Sequence, residues 1–319
     1  MTSSHGHPDP ALVLRSPIDP IEVLRRCGKT FHAASLMLPP RVRRELAVLY
    51  AFCRVVDDCG DLAGVGVASR PHELLDEIEA CLGGESASSP IVSAFLDLAD
   101  RHAVPVSHAR ELVEGVRSDL SLVRIASEDE LIRYAYRVAS TVGLMMCRVL
   151  GVEREGDPFA IDLGIAMQLT NISRDVREDA LNNRVYLPAA WVPAERVLEI
   201  ARAGSSDPSV EEAVERALML ADRYYDSASL GMGYLRGAIR PGIRAAATNY
   251  RAIGSVIRRD PARALRGRVA TSRRGKLLRS AVAVGTAVHE HFFRLRGPKH
   301  DSELHLPLAT LSASTIPAT

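Results

Sequence analysis

Two pairs of aspartates at helical spacing carry the chemistry of this chain. Asp57 and Asp61 lie in Val55-Val56-Asp57-Asp58-Cys59-Gly60-Asp61. Asp175 and Asp179 lie in Gln168-Leu169-Thr170-Asn171-Ile172-Ser173-Arg174-Asp175-Val176-Arg177-Glu178-Asp179. Residues four apart on a helix share a face, so each pair sets two carboxylates side by side. Like charges at that spacing repel by roughly 0.2–0.5 kcal/mol unless a cation neutralises them. One such pair reads equally well as a solvated helix face. Two pairs, each in an otherwise apolar helical setting, imply carboxylate clusters that face one another across a cavity. Hard cations such as Mg²⁺ take oxygen ligands, typically one or two carboxylates plus substrate phosphates. The chemistry implied is therefore that of diphosphate esters. In the second motif Gln168, Asn171, Asp175 and Asp179 fall at i, i+3, i+7 and i+11 and form one stripe. The two amides can orient a metal-bound water or a phosphate, and Arg174, Arg177 and Arg184 are candidate diphosphate donors. A cluster of like charges also implies that removing Asp175 costs the metal-free fold little.

The elements that must position these groups read as helices throughout. After Pro39-Pro40, residues 41–59 place Val42, Leu46, Leu49, Phe52, Cys53 and Val56 at helical spacing. Pro71, Pro90, Pro105, Pro158, Pro193, Pro208 and Pro241 each stand where a first helical turn begins. Ser127-Glu128-Asp129-Glu130 is a capping box ahead of a helix over 131–150, and Asn182-Asn183 ends the segment that carries the second acidic pair. Helices joined by short loops, without alternating strands, define an all-α single domain. Residues 1–17, polar and rich in Pro, Ser and His, read as a disordered leader, and 299–319, rich in Ser, Thr and Pro, as a disordered tail. The folded domain is then 18–298.

Composition excludes several classes. A formal net charge of +1 gives no general attraction to nucleic acid. Cys27, Cys53, Cys59, Cys81 and Cys147 are odd in number and fit no zinc spacing, so they read as reduced core residues of a cytoplasmic protein. No apolar run approaches the length that spans a bilayer.

Longer stretches resemble a known family. Asn171 to Asp179 followed by Arg184-Val185-Tyr186-Leu187-Pro188 resembles the second signature of the squalene/phytoene synthases, and Leu49 to Asp61 resembles the first. Tyr134 to Met146 is similar to the central helix of that family, and Tyr224 to Gly231 and Ala247 to Gly254 to its C-terminal helices. The resemblance runs in order over about residues 20–280, and Val142-Gly143-Leu144-Met145-Met146 with Tyr186 to Trp191 looks most like the bacterial phytoene synthases.

The resemblance implies an isoprenoid synthase bundle around a deep apolar cavity, with Mg²⁺ (or Mn²⁺) as cofactor and no NADPH. It implies head-to-head joining of two geranylgeranyl diphosphates through a cyclopropylcarbinyl diphosphate to phytoene. Carried over, Asp57 and Asp61 hold metal on one side and Asn171, Asp175 and Asp179 on the other. Tyr134 belongs to the catalytic set. Phe31, Arg54, Gln168, Asn171, Arg174, Arg184, Tyr186 and Tyr250 contact substrate. An insoluble polyene product implies peripheral contact with the inner face of a membrane. Arg54 reads alternatively as a surface residue paired with Asp58. Four departures bear on substrate length and product: His32 where Tyr is usual, Ser140 where Gly is usual, which narrows the pocket, Ala135 where Cys is frequent, and an altered corner over 234–241. Farnesyl-using squalene-type synthases, specialised relatives and a non-catalytic helical scaffold remain the alternatives.

Overall fold

The computed structural model describes residues 19–61, 70–85, 89–267, 275, 279 and 299–311, with the side chains of residues 29, 30 and 61 outside that set. Its α-helices are α1 (Pro20–Cys27), α2 (Lys29–Ser35), α3 (Pro40–Asp61), α4 (Arg70–Leu82), α5 (Pro90–His102), α6 (Val106–Ser118), α7 (Glu128–Ala135), α8 (Thr141–Leu150), α9 (Asp157–Leu181), α10 (Ala194–Ala203), α11 (Pro208–Leu230), α12 (Arg240–Arg259) and α13 (Ala262–Arg266). Among the described residues the only β pairing is the isolated Arg124–Val185 bridge. The all-α expectation holds, and so do most helix starts, because they rest on local chemistry. Asp19, Ser89, Ser127 and Asp207 each accept a hydrogen bond from a backbone N–H of the first turn. Each such cap is worth about 1 kcal/mol.

Helix α9 is the axis of the molecule. Its apolar residues Ile161, Ile165, Leu169, Ile172 and Val176 are buried in a core shared with α7, α10 and α11. Burying each contributes roughly 1.5–3 kcal/mol. A second apolar cluster joins α3 through α6. Helix α8 serves both, since Leu144 packs in the first cluster and Met145 and Cys147 in the second. All five cysteines are free, and four are buried. No described helix is long and apolar enough to cross a membrane.

The helix expected over 131–150 is interrupted. Residues Tyr136–Ser140 form a π turn between α7 and α8. Here α9 comes so near that a Cβ on Gly164 would lie 2.5 Å from the Ser140 Cα. Ser140 is fully buried and its hydroxyl donates to the Ile161 carbonyl at 2.7 Å. It therefore bonds two helices together, and the expectation that it narrows a substrate pocket is corrected.

The tail expectation is overturned for 299–311. Ser302–Leu308 is a 3₁₀ segment capped by Asp301, and Leu304 and Leu308 are buried in the α9 core. The Tyr224 hydroxyl donates to the Leu304 carbonyl at 2.8 Å, and Arg133 Nη1 to the Pro307 carbonyl at 3.1 Å. The Ser, Thr and Pro content concealed Leu304 and Leu308, which the 3₁₀ segment buries in the core. Residues 1–17 and 312–319 lie outside the described residues, so the folded unit extends at least to 311.

Two stability outcomes follow. Gly164→Ala forces backbone apart and should lower the urea-unfolding free energy by about 1–3 kcal/mol or more. Unchanged stability would mean that α9 and the π turn do not touch. His108 is buried, and burial, with Arg148 and Arg154 adding, lowers its pKa to about 4. The unfolded imidazole titrates near 6.5. Between those values the unfolded chain binds the extra proton, so His108 removes stability as pH falls from about 6.5 to about 4. Relative to wild type, His108→Gln should show a flatter loss of stability across that window.

Candidate active site

The two acidic motifs end up on facing helix ends. Arg184, just past the end of α9, donates from Nη2 to the Gly60 carbonyl at 2.6 Å, and its own N–H bonds the Asp179 carbonyl at 2.9 Å. One residue thus ties the C-terminal turns of α3, with Asp57 and Asp61, to the C-terminal turns of α9, with Asp175 and Asp179. Asp57 is exposed at this end of α3, and Asp61 is its last residue, with a side chain outside those described. Arg54 pairs with the buried Asp58 one turn along. The surface alternative for Arg54 therefore has its pairing right, although Arg54 is largely buried.

On α9 the stripe forms as expected. The Asn171 amide donates to Gln168 Oε1 at 3.2 Å, while the Asn171 carbonyl oxygen is buried with no hydrogen-bond partner among the described residues. Leaving such an acceptor unmade costs about 1–3 kcal/mol, which fits an oxygen reserved for a ligand. Arg174 lays its guanidinium along Asp175, with Nε at 2.9 Å and 3.1 Å from the two carboxylate oxygens. Asp179 is mostly buried, and burial and the neighbouring charge of Asp175 push its pKa well up, with Arg184 opposing. An oxygen-only donor set of Asp175, Asp179 and Asn171, short of positive charge at Asp179, fits a divalent cation. Arg177 instead runs toward Gly204, with its Nη2 3.7 Å from where a Cβ there would stand.

Beside Asp179 lies a group that the sequence reading missed. Asp119, directly after α6, accepts from the Tyr134 hydroxyl at 2.9 Å and from the Tyr186 hydroxyl at 2.8 Å. The two rings stack at 4.8 Å. Burial, with Asp119 adding, pushes the pKa of both tyrosines far up, so both keep their protons. A small pocket next to them is lined by Ile172, Val176, Asp179, Arg184, Tyr186 and Leu187. An acid at a helix C-terminus opposes the helix dipole, and that misfit was the available signal for Asp119. On the other flank Phe31 packs against Tyr250 at 5.5 Å and Tyr50 at 6.2 Å. Tyr50 lies within reach of the charges of Arg54 and Asp57, and Tyr250 within reach of that of Arg174. Tyr50 was also missed.

The order of these elements and the two acidic ends match one family along the chain, where the model for squalene/phytoene synthase aligns with residues 24–275. The chain belongs to the squalene/phytoene synthase family. It is 36% identical over 271 residues to the 15-cis-phytoene synthase of Paracoccus sp., covering 80% of this chain and 86% of that protein. It is 37% identical over 271 residues to the phytoene synthase of Cereibacter sphaeroides, covering 81% and 76%. A dehydrosqualene synthase solved with a ligand superposes with a TM-score of 0.72 at 23% identity, over 86% of this chain and 95% of that one. The squalene synthase of Alicyclobacillus acidocaldarius gives 0.64 at 22%, over 76% and 94%. Both share the isoprenoid synthase fold. As a squalene/phytoene synthase family member the chain is a prenyltransferase. The altered corner packs far from the acidic ends: Tyr234 stacks on Phe159 at 5.7 Å, in the first turn of α9.

The geometry separates two aspartates that the sequence treats alike. Asp175 neutralises a largely buried Arg174, so Asp175→Ala leaves an unpaired cation and should cost about 3 kcal/mol or more. This corrects the expectation that its removal costs the metal-free fold little. Asp179 is the uncompensated acid, so Asp179→Asn should keep or raise the metal-free melting temperature while losing most activity. Thermal unfolding in chelator checks both, and equal shifts for the two variants would refute the distinction.

Proposed function

We propose that the chain joins two geranylgeranyl diphosphates head to head, releasing diphosphate and forming phytoene. The observation that carries this reading is the Arg184–Gly60 bond, which brings the two acidic helix ends together beside an unpartnered Asn171 oxygen. The identity to bacterial phytoene synthases supports the choice of substrate. Asp57, Asp61, Asn171, Asp175 and Asp179 would hold Mg²⁺, with Mn²⁺ as a substitute. The bound ions supply electrostatic stabilisation of the departing diphosphate. Arg54, Arg174 and Arg184 orient diphosphate oxygens and hold charge as it develops there. Gln168 sets the Asn171 amide, leaving its carbonyl oxygen free to bind. Asp119 accepts from the hydroxyls of Tyr134 and Tyr186 and so fixes their oxygens, lone pairs outward, beside the reacting chains. Phe31 and Tyr250 give the prenyl chain an apolar wall that keeps water from the carbocation. The reaction ends in proton loss and needs no hydride. An insoluble polyene product favours peripheral membrane contact at the site of release.

Geranylgeranyl diphosphate with Mg²⁺ alone should yield a C40 hydrocarbon, unchanged in rate or identity by NADPH and abolished by chelator. Mass analysis of paired extracts decides. A product formed only from farnesyl diphosphate and only with NADPH would assign the squalene reaction instead.

A further inference from the structure

A second convergence of ligand-type side chains lies far from the acidic ends. Asp162 is on α9, thirteen residues before Asp175 and about 20 Å from it along the helix. Its side chain is 0% exposed. His300 Nε2 lies 2.9 Å from one carboxylate oxygen and His305 Nε2 lies 2.9 Å from the other. The Ser227 hydroxyl, from α11, donates to the same carboxylate at 2.5 Å. The two imidazoles are themselves 8% and 6% exposed, and their rings are 4.4 Å apart. His300 also meets the ring of Phe159 edge-on at 5.3 Å. One donor atom from each of Asp162, His300 and His305 lies within 4.8 Å of the others.

The charge balance of this cluster asks for a cation. Among the described residues no Arg or Lys pairs with Asp162. Two imidazoles and a hydroxyl satisfy its oxygens, and a carboxylate sealed in the interior is costly without a cation beside it. Two imidazole nitrogens and one carboxylate oxygen form a donor set suited to zinc-type ions, whereas Mg²⁺ prefers oxygen alone. Ser227 supplies the outer hydrogen bond that orients a ligating carboxylate. The Nδ1 of His305 is buried without a partner among the described residues, so one such outer bond is missing and affinity is correspondingly reduced.

We propose that Asp162, His300 and His305 form a second metal site, for a transition ion of the zinc type, that fastens the 299–311 segment to α9 and α11. The site is separate from the diphosphate centre in place and in ligand chemistry. Both histidines come from the segment that must dock, so metal binding and docking are one equilibrium.

The test uses metal-stripped full-length protein with excess Mg²⁺ to fill the acidic site and Co²⁺ as the probe. Nitrogen-containing, four- or five-coordinate Co²⁺ absorbs strongly in the visible, unlike octahedral oxygen-bound Co²⁺. A visible band should saturate at one equivalent, be displaced by Zn²⁺, persist in Asp179→Asn and when His5 and His7, the two histidines of residues 1–17, are both changed to Gln, and vanish in His300→Gln and His305→Gln. A second measurement needs no variant. Lys299 is exposed beside His300, and Zn²⁺ at ten times its Kd should slow tryptic cleavage after Lys299 about tenfold by suppressing undocking. Absence of the band in wild type, its survival in both single histidine variants, or an unchanged cleavage rate overturns the proposal.

Discussion

Four or more carboxylates of like charge must be held at one end of a helical bundle although they repel one another, and the architecture is organised around that constraint. The repulsion is opposed by the packing of α9 through Ile161, Ile165, Leu169, Ile172 and Val176. A few arginines placed between the acids oppose it as well. Arg54 engages Asp58, Arg174 engages Asp175, and Arg184 bridges from α9 to the Gly60 carbonyl at the end of α3. Each guanidinium remains charged at any accessible pH. The compensation is deliberately incomplete, because Asp179 and the Asn171 oxygen are left without full partners. A fully satisfied site would be more stable and would have no reason to bind anything.

The aromatic residues extend the same logic. Asp119 adds another acid near Asp179, yet its charge is spread over two tyrosine hydroxyls. That arrangement keeps both hydroxyls pointed and protonated. With both protons committed to Asp119, the two oxygens present lone pairs fixed in direction before substrate arrives, which is how an electrostatic site avoids reorganising during reaction. Phe31, Tyr50 and Tyr250 form the apolar counterpart on the opposite flank.

What could be read from the sequence divides by range. Helix starts were legible because Pro and capping residues act over three or four positions, and the stripe on α9 because one helix carries it whole. Asp119 was not, since its partners lie 15 and 67 residues away. The Asp162–His300–His305 cluster spans 138 and 143 residues and was hidden behind a tail composition that suggested disorder. Ser140 was misplaced for a related reason: its role depends on a backbone contact with Gly164, and only the packed helices reveal it. The family resemblance supplied the joint role of the two acidic motifs, which spacing alone left open.

The π turn at Tyr136–Ser140 sets a phase between α7, which carries Tyr134, and α8, which is anchored in both cores. Such a turn holds one residue more than an ordinary helix would over the same rise. Deleting one of its five residues would let α7 and α8 run on as a plain helix over the same rise with little change of phase, whereas deleting two would swing everything before the turn by about 100° about the helix axis. Tyr134 would then leave Asp119, while every residue needed for chemistry was still present. The turn can thus lose its one extra residue in register, but a larger change in the length of 136–140 is one that the packing of α7 and α8 cannot absorb.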